Sequence, residues 1–485
     1  MTKVPDQYSW TSVSGKAPEE MHILVLEAST TSAKAMLFGG GKPVVLTKPY
    51  PSMGADATVH DVDVVVAVLT QLARRVTEGT TVDVVALVGA WHGLLLADHS
   101  MRPVSPAYLW SNTEPAAICR RLRADQRLVN WFYQATGCMV NATYPIFTLH
   151  LLRERGVNIE DAYIIDEGSY LNWVLTGEFA QSHCLASGSG LLNTHSKRYD
   201  ADVLAWAGVT QDQLPTLVPS LVPSPLSARG AALLGIPEGT PVLPTIADGA
   251  ANQAGSGALR PSVMTLSVGT SGAVRLATDA PRLPQTPSTW CYVSTHSWLS
   301  GAATSGGCNC IDWFRGGLTG GLSYRELETQ EVSERDPVFL PFLHGERCPG
   351  WDDGRRAEFM GMSAQNDLRT LYGAVQEGVL FNLLQCYQAL IELNGRPLRI
   401  KLSGGILHSP RWTQMCADIF GVPLEKDAAL HASLMGGAIC GMEAIGLIST
   451  AADFETKPSG IVIPNPEAHG RHQKRYRAYL RAYHG

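Results

Sequence analysis

The sequence lacks the features of a membrane, secreted or nucleic-acid-binding protein. No apolar run reaches the ~18 residues of a membrane span, and the first residues lack the apolar stretch of a signal peptide. The net charge is −6 at pH 7, so there is no basic footprint for nucleic acid. We therefore expect a cytoplasmic protein whose partners are small molecules.

Cysteine is sparse, and a close pair of cysteines occurs only once. The chain has 10 cysteines in 485 residues, and only Cys308 and Cys310 are near neighbours. No second pair and no His-x-x-x-His pattern completes a zinc site. The sequence thus predicts reduced thiols and no structural metal.

The chain contains an internal repeat. The stretches 23–38 and 263–276 each consist of an apolar strand, a turn of Gly, Ser and Thr, and a second apolar strand, which predicts two β-hairpins. The turn 29–33 is similar to the turn 269–273. Hydroxyls and free N–H groups in a tight turn form a concave anion site, so the repeat favours phosphate binding over two ordinary surface turns. The GxxxxGK[ST] pattern of a P-loop kinase is absent.

Asp248 follows a short apolar strand near the middle of the chain. The run 242–246 predicts a buried strand, and Asp248-Gly249 comes after it, followed by small residues up to Gly257. An acid at a strand end of an α/β sheet is a usual place for a catalytic group. The alternative is that Gly249 only forms a turn.

Three other places have polar groups next to small residues. Trp91 and His92 lie in a turn between strands, and Asn112 follows a short strand that ends at Trp110. These side chains are candidates for ligand contacts, or for ordinary packing and helix capping. Gly404 and its successor follow a strand and precede a helix that Ser409 caps. That pattern is typical either of a sheet edge that binds a nucleotide or of glycines that let two elements pack closely.

The second half of the chain predicts further elements. Apolar residues at helical spacing indicate a long helix over 366–393, and Ser433 is the predicted cap of a last core helix. The loop 344–349 predicts an internal ion pair between Glu346 and Arg347. We interpret that pair as structural and leave it out of the site.

Several stretches, taken in order, resemble one family. They are LSVGTSGAV (266–274), FLPFLHGERCPGWDD (339–353), GAVQEGVLFNL (373–383) and SGGILHSPRWTQMCADIFG (403–421). Together with the Asp248 stretch they resemble the FGGY carbohydrate kinase family, a branch of the actin, sugar-kinase and Hsp70 superfamily. The similarity covers about residues 21–450 and is greatest to gluconate kinase and xylulose kinase members.

The resemblance implies an α/β fold of two ribonuclease-H-like domains that flank a cleft. Residues 1–20 lie outside the resemblance, and their polar, Pro- and Gly-containing composition predicts a flexible tail. Residues 21–258 would bind the sugar and carry the first phosphate loop, and residues 259–485 would bind ATP. It also suggests a homodimer.

The resemblance implies phosphoryl transfer from ATP to a hydroxyl of a small sugar, either a xylulose-like ketose or a gluconate-like aldonic acid. Asp248 would be the general base, and Mg²⁺ would bridge the phosphates, close to Glu27 and Asp248. The implied phosphate-binding residues are Ser29, Thr30, Thr31, Gly269, Thr270 and Ser271. The implied sugar-binding residues are Trp91, His92, Asn112 and Asp248, and the adenosine-binding residues are Gly404, Gly405 and Ser409.

The first domain departs from the family's usual pattern. Glu27 and Ser29 stand where the family has Asp and Gly, and Asn112 and Glu114 stand where it has Asp and Arg. Glu114 argues against an acidic substrate. These changes leave a second hypothesis open, a non-catalytic sensor that binds sugar or nucleotide. A serine hydrolase is disfavoured, because the stretch around Ser305 lacks the first Gly of GxSxG.

Overall fold

The computed structural model describes residues 8–9, 21–51, 58–329, 331–429 and 431–485. Two large mixed sheets organise the chain. The first has six strands, in the spatial order Ser224–Pro225, Pro241–Ala247, Val84–Gly89, Ile23–Ala28, Ser32–Phe38 and Val44–Pro49. The second has seven, in the order Trp290–Val293, Trp298–Thr304, Gly272–Thr278, Val263–Val268, Arg399–Ser403, Leu424–Lys426 and Gly460–Val462.

The two sheets share one topology. In each, a hairpin and a third strand run antiparallel, and two later strands add in parallel on the other side of the first hairpin strand. The repeated hairpins predicted from sequence are confirmed as Ile23–Ala28 with Ser32–Phe38, and Val263–Val268 with Gly272–Thr278. Central strands are buried on both faces because helices cover the sheets.

Fifteen α-helices within the described residues cover and connect the sheets. In the first half they are Val62–Val76, Ala116–Arg123, Gln126–Thr136, Pro145–Glu154, Glu167–Thr176, His183–Ala186, Ala201–Ala207, Ala228–Leu234 and Asp248–Gly255. In the second half they are Cys308–Leu318, Tyr324–Leu327, Leu368–Asn394, Pro410–Phe420, Ala432–Ala444 and Pro466–His484. The predicted long helix thus begins after its N-cap Asp367, and Ser409 caps the next one through the backbone N–H of Trp412.

Short strands form the remaining small sheets and extensions. They are Tyr8–Ser9, Val59–His60, Leu95–Ala97, Ala107–Tyr108, Tyr163–Ile165, Ala180–Ser182, Leu192–Asn193, Arg198–Tyr199, Thr216–Val218, Val338–Leu340, Glu358–Met360 and Glu455–Thr456. The predicted flexible tail 1–20 lies outside the described residues except for Tyr8–Ser9, which pairs with Glu455–Thr456.

Two local predictions are wrong. Asp248 does not stand on a turn; it begins the helix Asp248–Gly255 directly after the strand Pro241–Ala247. Gly249 is required for packing, because a Cβ there would overlap the ring of Trp91. Ser433 is not a helix cap either: the N-cap is His431, and the Ser433 hydroxyl donates to Glu27.

The helices Asp248–Gly255 and Ala432–Ala444 touch backbone to backbone. A Cβ at Gly255 would overlap the carbonyl of Ala432, and a Cβ at Gly436 would overlap the carbonyl of Ala251. Gly437 of the second helix lies against the side chain of Val25 in the first sheet, where a Cβ would be 2.7 Å from Val25 Cγ1. This contact therefore joins the second half of the chain to the first and fixes the helix that Asp248 begins.

We expect Gly436→Ala to lower the free energy of unfolding by about 1–3 kcal/mol or more, because the added methyl must push two helix backbones apart. Chemical denaturation measures it. Gly470→Ala is the matched control: it lies in the helix Pro466–His484 with nothing within 4 Å of its Cβ position. It should be neutral or stabilising by up to ~1 kcal/mol. Equal loss in both variants would contradict the packing argument.

Candidate active site

Asp248 lies where the first sheet meets the second half of the chain. It follows the last long strand of the first sheet, is half-buried, and accepts a hydrogen bond from the backbone N–H of Gly249 at 2.7 Å. Burial raises the pKa of its carboxyl above the ordinary Asp value, and the Glu27 carboxylate raises it further. Arg275 and the backbone amides partly offset these effects. The carboxylate is thus a stronger base than an exposed Asp.

Glu27 is enclosed by donors. Its Oε1 accepts from Lys34 Nζ and from Ser29 Oγ, both at 2.9 Å, and its Oε2 accepts from Ser433 Oγ at 2.8 Å. Only 4% of the residue is exposed. The longer side chain of Glu, relative to the family's Asp, is therefore held by hydroxyls from Ser29 and from the second half of the chain.

The predicted metal-binding pair does not form a cage for a resident ion. Glu27 lies near enough to Asp248 to affect its pKa, but Lys34 already pairs with Glu27. Within the described ranges no group of three or more His, Cys, Asp or Glu side chains could hold a metal ion. With Glu27 already paired, the two carboxylates fit only a cation that is held mainly by other ligands, such as water or a bound phosphate.

The first hairpin turn is tied to its surroundings. Thr30 Oγ1 accepts from Trp110 Nε1 at 2.9 Å, and the Thr30 carbonyl accepts from His60 Nε2 at 2.8 Å. His60 also bonds to Glu167 at 2.8 Å through Nδ1. Burial lowers the pKa of His60, but Glu167 and the Thr30 carbonyl outweigh it, so the pKa is raised overall. Trp110, from the predicted sugar-side motif, thus contacts the predicted phosphate turn directly.

The second hairpin turn is fixed by a helix start. The backbone N–H groups of Cys308 and Asn309 donate to the carbonyls of Gly269 and Thr270, at 2.7 and 3.2 Å. Gly404 has φ +97° and lies so close to the same turn that a Cβ would overlap the Val268 carbonyl. The structure thereby brings the predicted phosphate turn and the predicted adenosine loop together.

A cavity of about 700 Å³ lies beside the second turn. Side chains from both halves of the chain line it. They are Trp110, Ser111, Asn112, Thr113, Ala116, Arg120, Asn141, Ala142, Thr143, Thr270, Ser271, Thr304, Ser305, Asn309, Leu343, His344, Glu346, Arg347, Asp353 and Arg356. The cavity therefore joins the predicted sugar side to the predicted phosphate turn.

The sugar-side residues differ in what they offer a ligand. Asn112 is 2% exposed, and its Nδ2 has no hydrogen-bond partner among the residues described. His92 donates from Nδ1 to the Gly188 carbonyl at 2.7 Å, and burial lowers its pKa to about 3, so its Nε2 is an acceptor at neutral pH. Trp91 has partners within the fold: its Nε1 donates to the Cys184 carbonyl, and its ring centroid lies 5.0 Å from that of Tyr292, while its contact with the sugar stays a prediction.

Two arginines were missed from sequence. Arg347 lines the cavity, whereas its neighbour Glu346 accepts from Tyr483 and pairs with Arg355 at 3.0 Å. The predicted ion pair between Glu346 and Arg347 is therefore wrong. Arg275 follows the second turn and is close enough to Asp248 and Arg347 for mutual electrostatic effects. The sequence signal was a charged residue in an apolar strand, on the same face as Ala273.

Glu114 does not face the cavity. Both of its carboxylate oxygens bond to the guanidinium of Arg155, at 3.0 and 3.2 Å, in an ion pair whose side chains are about half exposed. The argument that Glu114 disfavours an acidic substrate is therefore wrong.

A bridge crosses from one half of the chain to the other beside the cavity. Asp353 accepts from Arg123 at 2.8 Å and from Asn141 Nδ2 at 2.9 Å. Arg123 also donates to the Val140 carbonyl, and its side chain is 16% exposed. The bridge holds the loop that carries Arg347 against the first domain.

Two α/β domains of one topology, with phosphate-type turns near one cavity, define the ribonuclease-H-like class of two-domain phosphotransferases. Models for the N-terminal and C-terminal domains of the FGGY family of carbohydrate kinases match residues 23–255 and 264–445. The chain belongs to that family, whose members are phosphotransferases with an alcohol group as acceptor.

Relatives and solved structures agree with this assignment. The chain is 26% identical to the gluconokinase of Bacillus subtilis (strain 168), over 88% of each chain. It is 25% identical to the xylulose kinase of Lactococcus lactis, over 95% of this chain and 96% of that one. The gluconate kinase of Lactobacillus acidophilus has the same fold, with a TM-score of 0.89 at 24% identity, over 95% of this chain and 97% of that one. Among the described residues no helix is long and apolar enough to cross a membrane.

We expect Asp353→Ala to lower the free energy of unfolding by about 1–3 kcal/mol, since it leaves the Arg123 guanidinium largely buried without a carboxylate. Chemical denaturation measures it. Glu334→Ala removes an exposed pair with Lys474 and serves as the control, with an expected loss below ~1 kcal/mol. A loss for Asp353→Ala no larger than the control would contradict a structural role for the bridge.

Proposed function

We propose that this chain transfers the γ-phosphoryl group of MgATP to a hydroxyl of a small sugar, either a ketose or an aldonic acid. The observation that carries the proposal is Asp248, a half-buried carboxyl of raised pKa at the end of a strand of the first sheet, on a helix that packs closely against the second half of the chain. An alcohol is a poor nucleophile at neutral pH, and a positioned carboxylate that takes its proton makes it competent.

The acceptor hydroxyl would donate its proton to Asp248 as the oxygen attacks the γ-phosphorus and the bond to the β-phosphate oxygen breaks. Asn112 Nδ2 and the His92 Nε2 lone pair offer a donor and an acceptor to other hydroxyls of the sugar. Mg²⁺ would neutralise the developing charge on the phosphates.

The two hairpin turns and the adenosine loop would contact different parts of the nucleotide. Gly269, Thr270 and Ser271 would hold the polyphosphate with N–H groups and hydroxyls, and Ser29, Thr30 and Thr31 would face it from the first domain. The close approach of Gly404 to the second turn supports an adenosine role for Gly404, Gly405 and Ser409. We also propose that the boundary between the two domains lies between residues 258 and 259 and that the protein is cytoplasmic. We further propose that it is a homodimer, which analytical sedimentation tests.

Asp248→Asn should lower kcat by roughly 10²–10⁴-fold, because it removes the base. The Kd for MgATP should change by less than about 3-fold, because the phosphate turns are intact. Initial rates of ADP release and calorimetry measure the two constants. Asp202→Asn, in an exposed helix turn, is the control and should keep wild-type activity. Near-wild-type turnover of Asp248→Asn would refute its role as base.

The pH dependence of kcat/KM should have an acidic limb set by Asp248. Because the base acts ionised, activity should fall as pH drops through its raised pKa, at a higher pH than for an ordinary Asp. Glu27→Gln should move that limb to lower pH, since the Glu27 charge contributes to the upward shift. Glu114→Gln, remote from Asp248, should leave the limb unchanged. A limb unmoved by Glu27→Gln would contradict the electrostatic coupling.

The non-catalytic sensor is the second candidate, and the three donors on Glu27 favour it, because they compete with any other partner of that carboxylate. A wild-type protein that binds MgATP and a sugar but phosphorylates no member of a panel of ketoses, polyols and aldonic acids would establish the sensor instead.

A further inference from the structure

Arg275 and Arg347 are guanidinium groups without an acidic partner. Within the described part of the chain neither forms an ion pair within 4.0 Å, and the Nε of each is buried without a hydrogen-bond partner. Among the described residues Arg275 makes one side-chain hydrogen bond, which its Nη1 donates to Ser267 Oγ at 3.4 Å. Ala273, on the same strand face as Arg275, pairs with Ala303, whose carbonyl accepts from the N–H of Cys348, the residue after Arg347. Burial lowers the pKa of Arg275, the Asp248 carboxylate raises it, and Arg347 lowers it, in keeping with two cations that lie close together.

Three acids of the site, of which Glu346 and Asp353 line the cavity, pair with other cations. Glu27 pairs with Lys34, Glu346 with Arg355, and Asp353 with Arg123. Asp248 is near Arg275 but not within ion-pair distance, and it is the proposed base. Two partly buried cations without a counterion are costly unless an anion joins them. The arrangement therefore calls for an anionic ligand.

The residues around Arg275 and Arg347 indicate which part of a bound ligand carries the negative charge. Arg275 is close to both Asp248 and Tyr292, and Tyr292 packs 5.5 Å from the ring of His92. His92 is neutral and adds no positive charge. The cations thus lie on the sugar side, around the group that would receive the phosphoryl.

We propose that Arg275 and Arg347 bind the carboxylate of the acceptor, so that the enzyme selects a sugar acid of the aldonic type over neutral ketoses and polyols. Guanidinium groups bind carboxylates in bidentate geometry. One end of the acid would meet the arginines while a hydroxyl further along meets Asp248. This inference rests on the proposed function, because the acid is the acceptor of that transfer.

The first test compares gluconate with glucitol, which carries CH2OH in place of the carboxylate, and with xylulose. Wild-type kcat/KM for gluconate should exceed both others by at least ~100-fold, because the buried cations stay unpaired with a neutral acceptor. Efficient phosphorylation of xylulose or glucitol, with gluconate the poorer acceptor, would overturn the inference and leave the kinase proposal standing.

The second test uses Arg275→Gln and Arg275→Lys, with the exposed Arg127→Gln as control. Arg275→Gln should lower kcat/KM for gluconate by ~100-fold more than it lowers kcat/KM for glucitol, because any effect of the lost charge on Asp248 is common to both acceptors, while its Kd for MgATP changes by less than about 3-fold. Arg275→Lys should lose less, since it keeps the charge but not the bidentate geometry. A parallel loss of MgATP affinity would mean that the arginines bind phosphate, and would overturn the inference.

Binding without turnover separates the two proposals. Calorimetry of gluconate and glucitol with the wild type and Arg275→Gln, each verified as folded by thermal denaturation, needs no phosphoryl transfer. Gluconate binding that Arg275→Gln abolishes would support the carboxylate site even if no acceptor were phosphorylated. Equal affinity of the wild type for gluconate and glucitol would overturn it, whatever the kinase assays show.

Discussion

The contact between the helices Asp248–Gly255 and Ala432–Ala444 is the constraint on which the rest of the structure depends. At Gly255 and Gly436 the backbone of one helix lies where any side chain of the other would be. Such an approach is possible only without a Cβ, and it leaves no slack between the helices. Since Asp248 begins one of them, its position relative to the second domain is set by backbone packing, not by flexible side chains.

The charge pattern of the site follows from that contact. The helix Ala432–Ala444 brings Ser433 to Glu27, which already holds Lys34 and Ser29. Glu27 in turn raises the pKa of Asp248. Glu27, Glu346 and Asp353 each have a cation of their own. Among the described residues Arg275 and Arg347 are partly buried and have no ion-pair partner, whereas Arg120 and Arg356, which line the cavity without an ion pair, are exposed to water. An acceptor with both a hydroxyl and a carboxylate matches this arrangement.

Much of the fold was predictable because it is local in sequence. The hairpin turns, the N-cap Ser409 and the helical spacing over 368–394 depend on residues that are neighbours in the sequence, and the repeat predicted two similar hairpins. Ser433 has the composition of a helix cap, but its hydroxyl serves Glu27, which lies far away in the chain. No local pattern records such a contact.

The site was predictable only in part, for the same reason. Small residues and hydroxyls marked both phosphate turns, and the strand end marked Asp248. Glu346 pairs with Arg355 and not with its neighbour Arg347, and Glu114 pairs with Arg155 outside the cavity. Neither pairing can be read from the adjacent residues. Ion pairs between residues far apart in the sequence determine which charged side chains stay unpaired. The proposed selectivity for a sugar acid depends on those unpaired charges.

The most direct test of the account is a crystal structure of the Asp248→Asn variant with ADP and gluconate bound. We predict the gluconate carboxylate within hydrogen-bond distance of Arg275 and Arg347, and one of its hydroxyls facing residue 248 beside the second hairpin turn. A carboxylate bound away from both arginines, or a gluconate with no hydroxyl near residue 248, would contradict the account.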